Sequence, residues 1–222
     1  HIDVVQSESF FDARRLLPGI RRSLLKEFDQ ISEVACHAGR LAVPAWGANT
    51  VRSEFEFLSG QDSDSLGIHR FNPYRTLARQ GLPTLAKALQ SLGYRTLCLH
   101  PYPGSFYRRG SVMPLLGFDE FIDSSGFEGA ATYGPYVSDH ALLERVKASL
   151  GERDTPTFIF VITMENHGPL HWEKVAPGDV QRLYDSPPPA NCDDLTVYLR
   201  HLCNADHMIG GLRRHLEGLS RQ

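Results

Sequence analysis

TFIFVIT, residues 157–163, is nearly continuous in apolar and β-branched side chains. A strand buried on both faces of a parallel sheet reads this way, whereas a half-exposed strand alternates. Working outward, three more β-rich runs stand at 2–6 (IDVVQ), 30–36 (QISEVAC) and 95–100 (RTLCLH). Helical patterns lie between them. Segment 84–92 places Leu85, Leu89 and Leu92 on one face and stops at Gly93; segment 139–150 opens on Ser138 or Asp139 as N-cap and ends before Gly151. Segment 193–217 repeats apolar residues at 195, 198, 199, 202, 209, 212 and 216, a long amphipathic helix. A helix is also expected over 50–58. Strands alternating with helices predict an α/β domain with a mostly parallel central sheet and helices on both faces. The stretches 60–75 and 170–192 read as long loops, and no domain boundary or internal repeat is evident.

Composition narrows the classes. The chain has 222 residues, 41% hydrophobic and 22% charged, enough for one well-buried domain. Its net charge of −3, with both signs interspersed, gives no nucleic-acid footprint. No apolar run reaches the roughly 20 residues that span a bilayer. The opening His1-Ile2-Asp3 runs straight into a strand without an initiator Met and reads as a cut fragment, with an anchor expected outside it. Four cysteines, Cys36, Cys98, Cys192 and Cys203, include no CxxC pair; Cys36 and Cys98 fall in strand-like runs and read as buried thiols, a disulfide remaining open in an exported domain.

In open α/β sheets, ligands bind beyond the carboxyl ends of the strands. Glu8, just past the first strand, is either a ligand for a divalent cation or a carboxylate at a helix start. Thr50, after the small residues Gly47-Ala48-Asn49, is either a helix cap completed by Ser53 or Glu54, or a hydroxyl nucleophile placed where helix-terminal potential favours phosphate. Tyr107 and Arg109, in the segment 100–109 that follows the third strand, suit stacking and bidentate phosphate recognition, or form a solvated basic loop. His167, beyond the fourth strand, is either structural or a group that hydrogen-bonds a phosphoryl oxygen or protonates a leaving group.

The ordered set VVQSESF, GANTVRSEFEFLSG, GYRTLCLHPYPGSFYRR, LLGFDEFID and FVITMENHGPL resembles the lipoteichoic acid synthase-like, phosphoglycerol transferase branch of the alkaline phosphatase/sulfatase superfamily, over about residues 2–217. The resemblance implies a single sulfatase-like catalytic domain over 1–222, truncated at its C-terminus. It implies that Glu8 is a metal ligand and that Thr50, in Thr50-Val51-Arg52-Ser53-Glu54-Phe55, is a metal-bound nucleophile. It also implies that Tyr107, where the family often has Trp, lines the substrate pocket with Arg109 and His167.

The cofactor implied is a divalent cation: manganese, magnesium or zinc. The family completes its metal site with an Asp-His pair after a later strand. Asp139-His140 opens a helix and Asp206-His207 lies inside one, where neighbours point about 100° apart. Neither follows a strand, and both are rejected as that pair. The implied activity moves a phosphoglycerol-type headgroup from a phospholipid donor to an envelope glycan or lipid acceptor through a phospho-threonine. The implied place is the bacterial inner membrane, with this domain on the periplasmic or extracellular side and anchored by segments outside the chain. A phosphoethanolamine transferase or a phosphodiesterase/sulfatase-like hydrolase is the alternative within the enzymes, although the C/S-x-P-x-R signature of sulfate ester hydrolysis is missing at Thr50-Val51-Arg52. A non-catalytic module that binds glycan or headgroup is the alternative outside them.

Overall fold

The computed structural model describes residues 1–44, 49–76, 81–151 and 155–219. Along the chain run β1 (Ile2–Gln6), α1 (Lys26–Val34), α2 (Thr50–Ser59), α3 (Pro73–Thr76), α4 (Leu85–Ser91), β2 (Arg95–Leu99), α5 (Arg109–Val112), β3 (Glu120–Ile122), β4 (Thr132–Tyr133), β5 (Tyr136–Val137), α6 (Asp139–Gly151), β6 (Thr157–Ile162), α7 (Asp179–Leu183) and α8 (Asp193–Leu219). The fold is mixed α/β, a central sheet with flanking helices. Its residues form two compact units, each described by itself.

The first unit comprises 1–6, 39–128 and 152–162 and holds the whole main sheet. Strand order is β1-β6-β2-β3, all parallel, with Val4 opposite Phe160 and Cys98 opposite Phe160 on the other side. Every residue of β6 is buried, because it lies between two strands and under side chains from the helices. Val51, Phe55 and Leu58 of α2 enter the same core as Phe158, Phe160, Met113 and Leu116. Their i, i+4, i+7 spacing is the apolar stripe of a surface helix.

The second unit comprises 7–38, 129–151 and 163–222. Its core gathers Leu24 and Leu25 with Leu183, Tyr184, Tyr198, Leu199 and Leu202. Close approach to α8 rests on a glycine pair. A Cβ on Gly211 would meet Leu143 Cδ2 of α6 at 2.5 Å, and one on Gly210 would run into the Glu27 side chain of α1.

Three expectations need correction. The run 30–36 is not a strand: residues 26–34 are α1, with Phe28 packed on the second core and Ile31 half-buried one helical turn further on. Spacing of i, i+3 there satisfies helical periodicity, and the short apolar run alone did not reveal it. Cys36 is therefore exposed beyond that helix, not buried; all four cysteines are free and Cys98 alone is fully buried. The stretch 60–75 is not an open loop, since 3₁₀ turns cover Ser63–Phe71 before α3. The short strands β3, β4 and β5 were not anticipated. No helix among the described residues is long and apolar enough to cross a membrane.

Candidate functional site

Thr50 is the first residue of α2, and the cap is Asn49. Asn49 sits in the left-handed region at φ 63° and makes no side-chain cap bond; its carbonyl accepts the Arg52 N–H at 2.9 Å. The Thr50 hydroxyl is thus one position inside the helix, at the positive end of its dipole. The Gly47-Ala48 approach lies outside the described residues.

The segment after β2 is tied to this helix start. His100 is buried, its Nδ1 3.1 Å from the Ile162 carbonyl oxygen of β6. Gly104 N–H donates to Asp123 Oδ2 at 3.0 Å, and a Cβ there would meet that oxygen at 2.7 Å, so a larger residue would displace the carboxylate that holds the turn. Tyr107 and Arg108 follow at φ 51° and 60°. The Tyr107 hydroxyl donates to Asn49 Oδ1 at 3.3 Å.

Arg109 behaves differently from an open phosphate reader. It is 2% exposed, and its guanidinium forks onto the fully buried carboxylate of Glu54, Nε to Oε2 at 3.1 Å and Nη2 to Oε1. Tyr74 donates its hydroxyl to the same carboxylate at 2.9 Å. Nη1 is buried and has no hydrogen-bond partner among the described residues, and the group lies 5.3 Å from the Tyr107 ring centroid. Burial would lower the guanidinium pKa, but the charge and hydrogen bonds of Glu54 outweigh it and raise it. Burial, with Glu54 adding to it, pushes the Tyr74 hydroxyl well above its usual range. Both groups keep their protons, and Arg109 keeps its charge at every physiological pH. From sequence Glu54 entered only as a residue completing a helix cap. Its spacing with Val51, Phe55 and Leu58 held the signal of its true setting, since a carboxylate in an apolar stripe is buried and must be either paired or protonated.

Glu8 and His167 belong to the second unit. Glu8 N–H donates to Thr163 Oγ1 at 2.8 Å, and Asn166 Nδ2 donates to the Glu8 carbonyl at 3.3 Å, so the peptide bearing Glu8 is pinned to the segment bearing His167. His167 is exposed, its Nδ1 against the Gly168 carbonyl and its ring edge-on to Tyr136.

Glu165, two residues earlier, anchors that segment; the sequence marks it only as a polar residue beyond the fourth strand and gives it no role. Its carboxylate accepts the Asp139 N–H at 2.6 Å and Asn204 Nδ2 at 2.7 Å, and lies 3.1 Å from His201 Nδ1. His201 Nε2 meets Glu173 at 2.8 Å, and Arg200 bridges Glu173 and Asp179. Desolvation disfavours the imidazolium of His201, but Glu165 and Glu173 prevail and raise its pKa. Asp139 is fully buried with no partner for either carboxylate oxygen among the described residues. Burial first, then the charge of Glu165, pushes it well above the carboxylate range.

These shifts set a pH dependence. The folded chain holds the Asp139 proton that the unfolded chain releases above about pH 3.9. It likewise holds the His201 proton through the region near 6.5 where unfolded histidine loses it. Both stabilise on the acid side, and stability falls as pH rises through the folded pKa values. Asp139→Asn is expected to flatten the carboxyl part of that dependence and to add about 1–3 kcal/mol at neutral pH, read by urea unfolding from pH 4.5 to 8. An unchanged slope would remove Asp139 as its source.

Five non-glycine residues among the described ones have positive φ: Ser9, Asn49, Tyr107, Arg108 and Asn191. Ser9 adjoins Glu8, Asn49 adjoins Thr50, and Tyr107 and Arg108 adjoin Arg109. Backbone strain of this kind costs about 1–3 kcal/mol per residue and gathers at functional sites.

The Sulfatase family model matches residues 2–222. The chain belongs to the sulfatase family. A curated relative, the capsular polysaccharide biosynthesis protein RkpI of Rhizobium meliloti, is 33% identical over 99% of this chain and 38% of its own length. Among solved structures, the lipoteichoic acid synthase LtaP of Listeria monocytogenes has a TM-score of 0.79 at 22% identity, over 98% of this chain and 52% of that one. The phosphoglycerol transferase GacH of Streptococcus pyogenes, in complex with sn-glycerol-1-phosphate, has a TM-score of 0.76 at 23% identity, over 100% of this chain and 58% of that one. The periplasmic domain of EcEptC from Escherichia coli, solved as a complex with Zn, has a TM-score of 0.67 at 16% identity, over 98% and 59%. The fold is thus that of the lipoteichoic acid synthase-like branch, and the chain spans well under two thirds of the length of these proteins.

One member of that set holds zinc, so the donors here matter. No group of three or more His, Cys, Asp or Glu side chains that could hold a metal ion occurs among the described residues. Glu8 carries a carboxylate and Thr50 a hydroxyl, each an oxygen donor of the type a hard or borderline divalent cation takes.

Proposed function

We propose that the intact protein is a metal-dependent phosphotransferase that moves a phosphoglycerol-type headgroup from a phospholipid to an envelope glycan. The carrying observation is Thr50: a hydroxyl on the first residue of a helix, directly after a left-handed asparagine that Tyr107 holds. The 33% identity to a capsular polysaccharide biosynthesis protein favours a glycan as acceptor. The matching fold of a phosphoglycerol transferase favours phosphoglycerol as the group moved.

Thr50 Oγ attacks phosphorus and gives up its hydroxyl proton, the bond from phosphorus to the diacylglycerol oxygen breaks, and that oxygen takes up a proton in exchange. The helix terminus stabilises the phosphoryl oxygens. The acceptor hydroxyl then attacks the phospho-threonine and gives up its proton as Thr50 is regenerated. Arg109, its fork taken by Glu54, contributes a fixed positive charge and its remaining Nη1 hydrogens. His167 would donate to a phosphoryl or leaving oxygen. Glu8 and Thr50 would be donors to a manganese, magnesium or zinc ion, which lowers a hydroxyl pKa and polarises phosphoryl oxygen when bound. The remaining donors would come from outside the described residues. The setting proposed is the outer side of a bacterial cytoplasmic membrane.

Membranes bearing the intact protein, given phosphatidylglycerol labelled in its headgroup glycerol, are expected to pass label into glycan and release diacylglycerol. Label that stays in lipid would overturn the reading, and transfer of ethanolamine phosphate instead would replace the donor. Dialysis against a chelator is expected to abolish transfer and added manganese to restore it. Equal activity after chelation would strike the cation from the proposal.

A further inference from the structure

Away from these residues, α6 and α8 enclose a groove of about 460 Å³ lined by His140, Leu143, Lys147, His207, Gly211, Arg214 and His215. Its chemistry follows from helical spacing. His207, Gly211 and His215 recur every four residues on α8, and His140, Leu143 and Lys147 at i, i+3, i+7 on α6. Each set forms one stripe. Gly211 against Leu143 brings the helices close and makes the floor apolar, with the imidazoles and cations around it.

The lining contains no carboxylate. Glu144 and Glu27 stand outside it and pair with Lys147 at 2.7 Å and Arg214 at 2.9 Å. The Lys147 hydrogen bond chiefly, with smaller contributions from the charges of Lys147, His140 and His215, holds the Glu144 carboxyl below its usual range despite some desolvation. The lining itself thus carries three imidazoles and two cations, each cation paired outward with a carboxylate. His215 Nε2 is buried and has no hydrogen-bond partner among the described residues, a polar atom left for something the chain does not supply.

We propose that this groove binds a phosphate oxyanion, with His140, His207 and His215 as hydrogen-bond donors and Lys147 and Arg214 supplying charge. Phosphate has the acceptors to engage several imidazole N–H groups at once, and the guanidinium can fork onto two of its oxygens. The site stands apart from the phosphotransfer proposed above, and either reading survives the loss of the other.

Orthophosphate is titrated into the intact protein at constant ionic strength, with the histidine ring resonances as readout. Saturable shifts at His140, His207 and His215 are expected, with binding weakened about 10-fold in the His207→Gln/His215→Gln variant and headgroup transfer unchanged. Lys147→Gln/Arg214→Gln, which alters side chains without buried apolar contacts, replaces that variant if its amide spectrum shows unfolding. A second arm compares vesicles of phosphatidylglycerol with phosphatidylcholine. Binding of both orthophosphate and the anionic vesicles, lost together in the variant, marks any accessible phosphate as ligand. Binding of the anionic vesicles alone marks a lipid headgroup. Absence of both, shifts that chloride reproduces, or unchanged affinity in the variants would overturn the site.

Discussion

Thr50→Ala is expected to lower headgroup transfer by about 10⁴-fold or more, the scale on which loss of a covalent nucleophile acts. At about 1.4 kcal/mol per decade this is roughly 5 kcal/mol of transition-state stabilisation. The fold should survive, because Thr50 is only half-buried and alanine is the better helix former at that position. Thr50→Ser keeps a hydroxyl and should retain measurable transfer. Mass spectrometry of the wild-type protein trapped with donor but no acceptor should find the phosphoryl adduct on Thr50. Full turnover by the alanine variant would sink the nucleophile assignment, whatever the fate of the donor.

Arg109→Ala is expected to destabilise the first unit by about 3–5 kcal/mol, because it leaves the fully buried Glu54 carboxylate without its cation. Glu54→Ala strips the same pair from the other side, and Tyr74 loses its acceptor. The discriminating variant is the double one, Glu54→Leu with Arg109→Met. Replacing both ions by apolar groups of similar size should recover most of the loss, as buried pairs usually behave. Denaturant unfolding of the wild type, Glu54→Leu, Arg109→Met and the double variant gives the cycle. If the double variant proves as unstable as the singles, then Arg109 acts through more than Glu54. Activity separates the roles further: a stable double variant with weak transfer would assign Arg109 to the phosphate as well as to the helix.

The strongly periodic parts of the fold were legible because their environment is uniform. TFIFVIT is buried along its whole length, so its composition alone announces a central parallel strand. The stripe of α8 persists over many turns, and its length decides helix over strand. Residues 30–36 offer too short a window. Ile31 and Val34 satisfy either reading, and the packing of Phe28 on the second core determines the outcome. β3 has three residues and β4 and β5 two each, below what composition can signal.

The candidate residues were legible by type and by their place after strands, and the sulfatase match spans all of them. Their circumstances were not. Sequence marked Thr50 as a helix-start hydroxyl but could not decide cap against nucleophile. The structure gives the cap position to Asn49, which sits in the left-handed region. Arg109 carried the same letter whether solvated or buried, and only three-dimensional packing brought Glu54 to its fork. The Glu165, His201 and Asn204 contacts join residues 36 to 39 positions apart, beyond any local period. What the sequence determined by itself is the family, the parallel sheet and the set of candidate groups, since these depend on periodicity and motif order. Which of those groups are charged, paired or strained was decided by tertiary structure, because burial and long-range partners fix the electrostatics of a side chain.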